Sequence, residues 1–247
     1  MFSCPTDDGK FYYSHTGDIT YYDWVGRADK TARINKTRKT LHIDAGYYCE
    51  DGENCDTLAI PEPEYVDLGL SVKWATFNVG ATSPEDYGDY FAWGETEPKD
   101  EYTWATYKWG NGTSAAVLTK YNTQDGKTIL EPEDDAAHVH WGNNWRVPTD
   151  EEYAELRDLC TWTWTIINNV KGYEVKGPNG NSIFLPTTGY MIDTTLKLPT
   201  YGYYWSNSLY DTNLSKSNCN YFSSHPASWG TYLRIMGFAI RPVYDDR

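Results

Sequence analysis

The chain has 247 residues, 40% of them hydrophobic and 16% aromatic, with 22 Tyr and 11 Trp. That length buries a real core without help from disulfides, as one large domain or as a domain of about 180 residues behind an N-terminal extension. A net charge of −14 argues against nucleic acid and anionic membranes, since no basic cluster is present to neutralise phosphates, and no apolar run approaches the roughly 18 residues needed to span a bilayer.

In chain order, residues 1–62 read as a small β-rich extension or attachment segment. It holds scattered Tyr-Tyr pairs, turn residues and the strand-like run Thr40-Leu41-His42-Ile43, and it ends at the stiff Pro61-Glu62-Pro63. Lys and Arg are densest between positions 27 and 39, a short solvated face. No signal peptide is visible, because Met1-Phe2-Ser3-Cys4 is followed at once by Pro, Thr and two Asp. Cys49 and Cys55 flank an Asp-Gly turn and could close a small disulfide loop. A zinc site there lacks a second Cys or His pair at matching spacing.

The second domain, residues 63–247, opens on Tyr65-Val66-Asp67-Leu68-Gly69-Leu70-Ser71-Val72-Lys73-Trp74-Ala75, a hairpin turning at Gly69. Ser83-Pro84-Glu85-Asp86 reads as a helix start, with an N-cap Ser and Pro at the first helical position. Leu130-Glu131-Pro132-Glu133-Asp134-Asp135-Ala136-Ala137 reads as a turn into a short helix. Its acids could hold Ca²⁺ through oxygen ligands, but the alternating Asp loop is missing and the preference of a helix start for negative charge explains them better. His138 and His140 would share one face of a strand and offer two metal ligands; without a third ligand at readable spacing, core or rim roles are the better reading. Thr149-Asp150-Glu151-Glu152 is a capping box, and Tyr153, Leu156 and Leu159 or Cys160 follow on one apolar face. Strands are expected at 162–167, 173–175 and 183–185.

The last forty residues form a frame around an unpatterned segment. Tyr203-Tyr204-Trp205-Ser206 opens the frame, and Gly237-Phe238-Ala239-Ile240-Arg241-Pro242-Val243 closes it. Trp205, Phe222 and Phe238 are expected in the core, with an internal strand at 219–222. Between the two ends, 207–236 mixes Asn, Ser, Tyr, Thr, Leu, His and Trp with no sustained period. That mixture suits a contact surface, because Tyr and Trp give area at low rotamer cost while Asn, Ser and His supply adaptable hydrogen bonds. The candidate ligand-binding residues are Asn207, Tyr210, Asn213, Asn218, Asn220, His225, Ser228, Trp229, Thr231, Tyr232 and Arg234.

Trp145-Arg146-Val147-Pro148-Thr149-Asp150-Glu151-Glu152-Tyr153 resembles the Arg-Leu-Pro-Thr-Glu-Ala-Glu-Trp motif of the formylglycine-generating-enzyme/sulfatase-modifying-factor superfamily. The closing Gly237-Phe238-Ala239-Ile240-Arg241-Pro242-Val243 resembles that superfamily's last strand. Asp67-Leu68-Gly69-Leu70-Ser71-Val72-Lys73-Trp74-Ala75, Asn78-Val79-Gly80-Ala81, Tyr90-Phe91-Ala92-Trp93-Gly94-Glu95-Thr96 and Asn181-Ser182-Ile183-Phe184-Leu185-Pro186 are similar to the major paralogous domain of Fibrobacter and Bacteroides relatives. The resemblance spans 65–243. It implies an α+β, C-type-lectin-like fold with small antiparallel sheets, two helices and long irregular loops.

The same resemblance extends to variable proteins of diversity-generating retroelements, whose codons are rewritten just upstream of such an ending. It implies a non-catalytic, receptor-binding or adhesin-type protein, displayed on a cell surface or phage tail, with a protein or glycan as ligand. Trp229 and Met236 do not arise easily from such mutated codons. The superfamily's enzyme needs two cysteines about five residues apart before the last strand. Here Cys219 stands in that region but position 214 is Leu, so formylglycine-type oxidation is disfavoured. No cofactor is expected; calcium stays open, because lectin-like folds often use it.

Overall fold

The computed structural model describes residues 63–112, 118–142, 144–225 and 227–246, and the backbone of two earlier strands. The chain divides into two compact units, Met1–Ala59 and Ile60–Arg247. In the first, β1 (Ala32–Asn35) pairs antiparallel with β2 (Thr40–Ile43), and Ile34 stands opposite Leu41. The expected strand at Thr40 is therefore present. The Cys49–Cys55 loop lies outside the described residues.

The second unit begins with β3 (Tyr65–Val66) and β4 (Lys73–Ala75), then α1 (Ala136–Trp141), β5 (Trp145–Arg146) and α2 (Asp150–Leu159). Next come β6 (Thr161–Ile167), β7 (Val170–Lys176), β8 (Ser182–Pro186), β9 (Tyr190–Ile192) and β10 (Thr195–Lys197). It closes with β11 (Gly202–Leu209), β12 (Lys216–Phe222), β13 (Ser228–Leu233) and β14 (Val243–Tyr244). The strands form small antiparallel sheets: β3-β4-β14-β5, β6-β7-β8, β9-β10 and β11-β12-β13. With two α-helices among the described residues, the unit is α+β, as the sequence indicates.

Local chemistry explains most element boundaries. The hairpin turns where Gly69 adopts φ 76° and donates its N–H to Asp67 Oδ1 at 2.7 Å. At α2, Thr149 Oγ1 accepts the Glu152 N–H at 3.2 Å while Glu152 Oε2 accepts the Thr149 N–H at 2.9 Å, so two orphan donors are satisfied reciprocally. Asp135 caps α1 by accepting the His138 N–H at 3.0 Å, and its other oxygen accepts the Val147 N–H at 2.8 Å. Of the acids before this helix, Asp135 alone takes the expected capping role, while Glu131, Glu133 and Asp134 gather around Lys120.

Two expectations are corrected. Ser83-Pro84 starts a single turn, closed by the Asp86 N–H on Ser83 O at 3.2 Å, and no helix follows. Gly88 at φ 69° redirects the chain so that the Asp89 N–H reaches Val79 O at 2.8 Å, which leaves no room for a second helical turn. His138 and His140 lie on α1, not on a strand. Two residues apart on a helix, they point about 200° apart, and His140 Nε2 lies 2.7 Å from Thr96 O. They do not form a paired metal site.

The core has two aromatic clusters with β11 and β12 between them. One gathers Phe91, Trp93, Tyr121, Tyr203, Trp205 and Phe238; the other gathers Trp74, Tyr153, Tyr173, Tyr204 and Phe222. Trp205, Phe222 and Phe238 are core residues, as expected. Trp205 stacks on Phe238 with ring centroids 4.0 Å apart and donates Nε1–H to Phe91 O at 2.8 Å. Each such ring contributes about 1.5–3 kcal/mol by leaving water.

The closing segment ties the unit together. Gly237 bridges Met191, Phe238 bridges Phe91, Ala239 bridges Tyr204, and Val243 sits between Trp74 and Arg146. Gly237 has to be Gly, since a Cβ there would come within 2.5 Å of the Tyr102 ring. Arg241 is fully buried, donating to Asn78 Oδ1 at 2.8 Å and to Ala75 O at 3.1 Å, and burial pushes its guanidinium pKa down to about 10.

Candidate functional site

The unpatterned segment folds mainly as β12, β13 and the end of β11. Register sorts its side chains by parity, since alternate residues of a strand point to opposite faces. Cys219 stands opposite Trp205 and Gly230, while Tyr221 is paired with Tyr203 and Ser228. Asn220 lies between Tyr204 and Trp229, and Asn218 opposite Thr231. One face therefore carries Cys219, Tyr221, Ser228 and Tyr232. The other carries Asn218, Asn220, Trp229 and Thr231.

The first face closes on the core. Tyr232 is half-buried and packs edge-on against Tyr203 at 5.3 Å and Phe238 at 5.5 Å. Ser228, half-buried, shares that face. These two candidates belong with the packing.

The second face meets α2. Asp150, Tyr153 and Arg157 lie at i, i+3 and i+7 on that helix, hence on one side of it. Together with Asn218, Asn220 and Trp229 they line a groove of about 530 Å³, within the size range of small-molecule pockets. Tyr153 forms a buried apolar floor, while Trp229 at the edge is 63% exposed. Tyr210, half-buried, and Ile129, half-exposed, complete the rim.

The two amides in this groove have fixed orientations. Asn218 Nδ2 donates to Asp150 Oδ2 at 2.6 Å, and Asn220 Oδ1 accepts from Arg157 Nη1 at 3.3 Å. A carboxylate only accepts and a guanidinium only donates, so neither amide can be flipped without loss. That leaves Asn218 Oδ1 and Asn220 Nδ2 buried with no hydrogen-bond partner. Leaving such a group unpaired costs about 1–3 kcal/mol.

The remaining candidates separate. Thr231 is half-buried beside Asn218 on the groove face. Asn213 is exposed in a turn where its Oδ1 accepts from Ser215 Oγ at 2.7 Å, and His225 is exposed in the loop before β13, its N–H on Ser223 Oγ at 3.2 Å. Neither lines the groove.

Three are not surface residues at all. Asn207 is buried in the irregular stretch of β11 between Trp205 and Leu209, its backbone bonded to Pro148 and Leu130. Asn220 is buried but borders the groove. Arg234 is fully buried and joins distant loops: Nε donates to Tyr107 Oη at 2.6 Å, Nη1 to Tyr121 O and Leu214 O, and Nη2 to Lys120 O. Its guanidinium also faces the Trp93 ring at 5.1 Å. It is an internal tie, and the expectation of an exposed Arg234 fails because four acceptors converge on it.

Sequence reasoning missed Asp150 and Arg157. Their signal was present: the capped helix carries them on the same stripe as Tyr153.

Among the described residues the chemistry elsewhere is quiet. Cys219 is 2% exposed, and burial raises its thiol pKa well above the ordinary value, so it is poor in thiolate. Glu131, Glu133 and Asp134 lie close enough together to hold a metal ion. Lys120 Nζ already sits among them, 2.5 Å from both Glu131 Oε2 and Asp134 Oδ2. No described helix is long and apolar enough to cross a membrane. No family model, curated protein or solved structure matches the chain.

Proposed function

We propose that this chain is a non-catalytic ligand-binding protein of the receptor-binding or adhesin type. Its second unit would be a C-type-lectin-like scaffold, and its ligand a protein or glycan on another cell or surface. The observation that carries the reading is the groove between α2 and the outer face of β12–β13. There an exposed Trp229 borders two amides that each keep one polar atom unpaired. A rigid scaffold with a polar-aromatic opening is the expected build of a binding site. The buried, protonated Cys219 and the Leu at 214 count against thiol oxidation.

The groove residues on β12 and β13 belong to the segment that resembles retroelement-diversified proteins, so contact positions there would differ between sister copies. A near-copy of the coding sequence for 203–243 that differs at adenines, beside a reverse transcriptase gene, would support diversification. Its mismatches should fall on Asn218, Asn220 and Thr231 and spare Arg234 and Phe238. Binding is tested by applying the purified chain to arrays of surface glycans and surface proteins. Trp229→Ala should erase a specific signal with the melting temperature unchanged; a signal indifferent to Trp229→Ala and Asn218→Ala would refute the reading.

A further inference from the structure

We propose that the open edge of β6 pairs with the same edge of a second copy of this chain, giving a two-fold homodimer. The inference does not depend on what the groove binds. It starts from the three-stranded sheet β6-β7-β8.

The first observation is which backbone groups that sheet leaves over. Ile167 stands opposite Val170, and Asn168 and Asn169, at φ 48° and 65°, make the two-residue turn between them. The pair flanking such a turn exchanges both hydrogen bonds, and bonded pairs then alternate along the ladder. Thr161, Thr163, Thr165 and Ile167 therefore bond to β7. The Thr187 N–H on Lys171 O, at 2.9 Å, fixes the same parity from the β8 side. The N–H and C=O groups of Trp162, Trp164 and Ile166 point outward, and no hydrogen bond among the described residues meets them.

The second is that this edge lacks the usual protection. No residue from Leu159 to Val170 is charged, in a chain of net charge −14. β6 contains no Pro, and its register with β7 runs without a bulge. Natural edge strands carry such devices to block pairing. Leu159, Ile166 and Ile167 are also exposed large hydrophobics, gathered at the two ends of the strand.

The third is how well the edge matches itself. With a two-fold axis beside Trp164, that residue faces its own copy, Trp162 faces the second copy's Ile166, and Thr163 faces Thr165. Every outward group is then satisfied, since three N–H groups from each copy meet three C=O groups of the other. The 58% exposed Ile166 gains a half-buried tryptophan as neighbour, and threonine opposite threonine is a favourable pair. A charged peptide strand finds no counter-charge here. Nor does β8 offer an equivalent edge, because Ile183, Phe184, Leu185 and Pro186 are buried. One open edge per copy pairs with itself and stops, which gives a closed dimer and not a fibre.

β6 has seven residues, so the paired strands run about 23 Å. One strand pair falls short of the roughly 1,200 Å² of a stable interface, so the dimer should be reversible, with Kd about 10–100 μM. Sedimentation velocity on the full chain, from about 2 to 200 μM, should show monomer passing into dimer. Thr163→Lys sets two like charges diagonally across the axis, and Thr165→Glu does the same. Each variant alone should stay monomeric with its melting temperature unchanged. Their equimolar mixture should dimerise again, because the new lysine of one copy then faces the new glutamate of the other. In the unmodified chain, amide exchange at Trp162, Trp164 and Ile166 should slow as concentration rises, while that of Thr163 should not change.

A chain that stays monomeric across this range overturns the proposal. So does a dimer indifferent to both substitutions, which would lie on another surface, or assembly beyond a dimer. Failure of the mixture to restore what each variant lost would overturn the register. Should either variant unfold, the exchange measurement decides: concentration-dependent protection of those three amides upholds the pairing, and its absence refutes it.

Discussion

The two faces of β12 and β13 differ in what their side chains do, although the residue types look alike in sequence. On the inner face, Tyr232, Tyr221 and Tyr203 pack on one another and on Phe238, with Cys219 sealed among them. On the outer face, Asn218 and Asn220 border a groove and keep polar atoms unpaired, with Trp229 largely in solvent. One ring type closes a core and another opens a site within a few residues of each other. Position in the register, not residue identity, separates packing from recognition.

The contrast can be broken most severely at Arg234, just past the inner face. Arg234→Ala strands four acceptors inside the protein and should cost about 3–5 kcal/mol, read as a large drop in melting temperature. If stability barely moves, water reaches those acceptors and the inner side is less closed than described.

Tyr232→Ala should cost about 2–4 kcal/mol, since it removes a ring packed on three others. Chemical denaturation would show this as a shifted midpoint at constant slope. A near-neutral result would move Tyr232 to the contact surface, where sequence reasoning first placed it.

The thiols sharpen the same division. Burial, and then the charge of Glu155, pushes the Cys160 thiol up to about 11, and burial also raises Cys219 well above its ordinary value. Both folded values lie above the ordinary one, so the unfolded chain ionises first. Stability should fall as pH climbs from about 9 through 11. Iodoacetamide at pH 8, followed by peptide mass mapping, should label Cys160 slowly and leave Cys219 untouched until unfolding. Rapid labelling of Cys219 would mean that the inner face opens.

The smallest expected effect is at Trp229. Trp229→Ala should change stability by no more than about 0.5 kcal/mol, as expected of a ring mostly in water. A loss comparable to that of Tyr232→Ala would erase the distinction between the faces.

Much of the fold was legible because it is local. The capping box at Thr149, the hairpin at Gly69 and the proline-led turn before α1 each depend on a few adjacent residues. What stayed hidden depends on partners far along the chain. Ser83-Pro84 carries a helix-start pattern, but Gly88 and the Asp89–Val79 hydrogen bond turn the chain away.

The candidate site was partly legible for the same reason. Its segment was identified from composition, but composition cannot give parity. Here the inner face uses Cys, Tyr, Gly and Ser and the outer face Asn, Trp and Thr, so hydropathy does not alternate. Arg234 looked like a surface cation because three of its four acceptors, on Tyr107, Lys120 and Tyr121, lie more than a hundred residues away.

The way residues 237–244 join earlier strands also bears on how the protein comes into being. Ala75 O waits for an arginine 166 positions later, and Phe91, Met191 and Tyr204 wait for the same short stretch. During synthesis at about 5–20 residues per second, the first half of this unit therefore spends many seconds without its final partners. Such non-local closure makes folding slow. A nascent chain stalled before position 237 would present unfinished aromatic surfaces to chaperones and proteases, so incomplete copies are open to removal before a working groove exists.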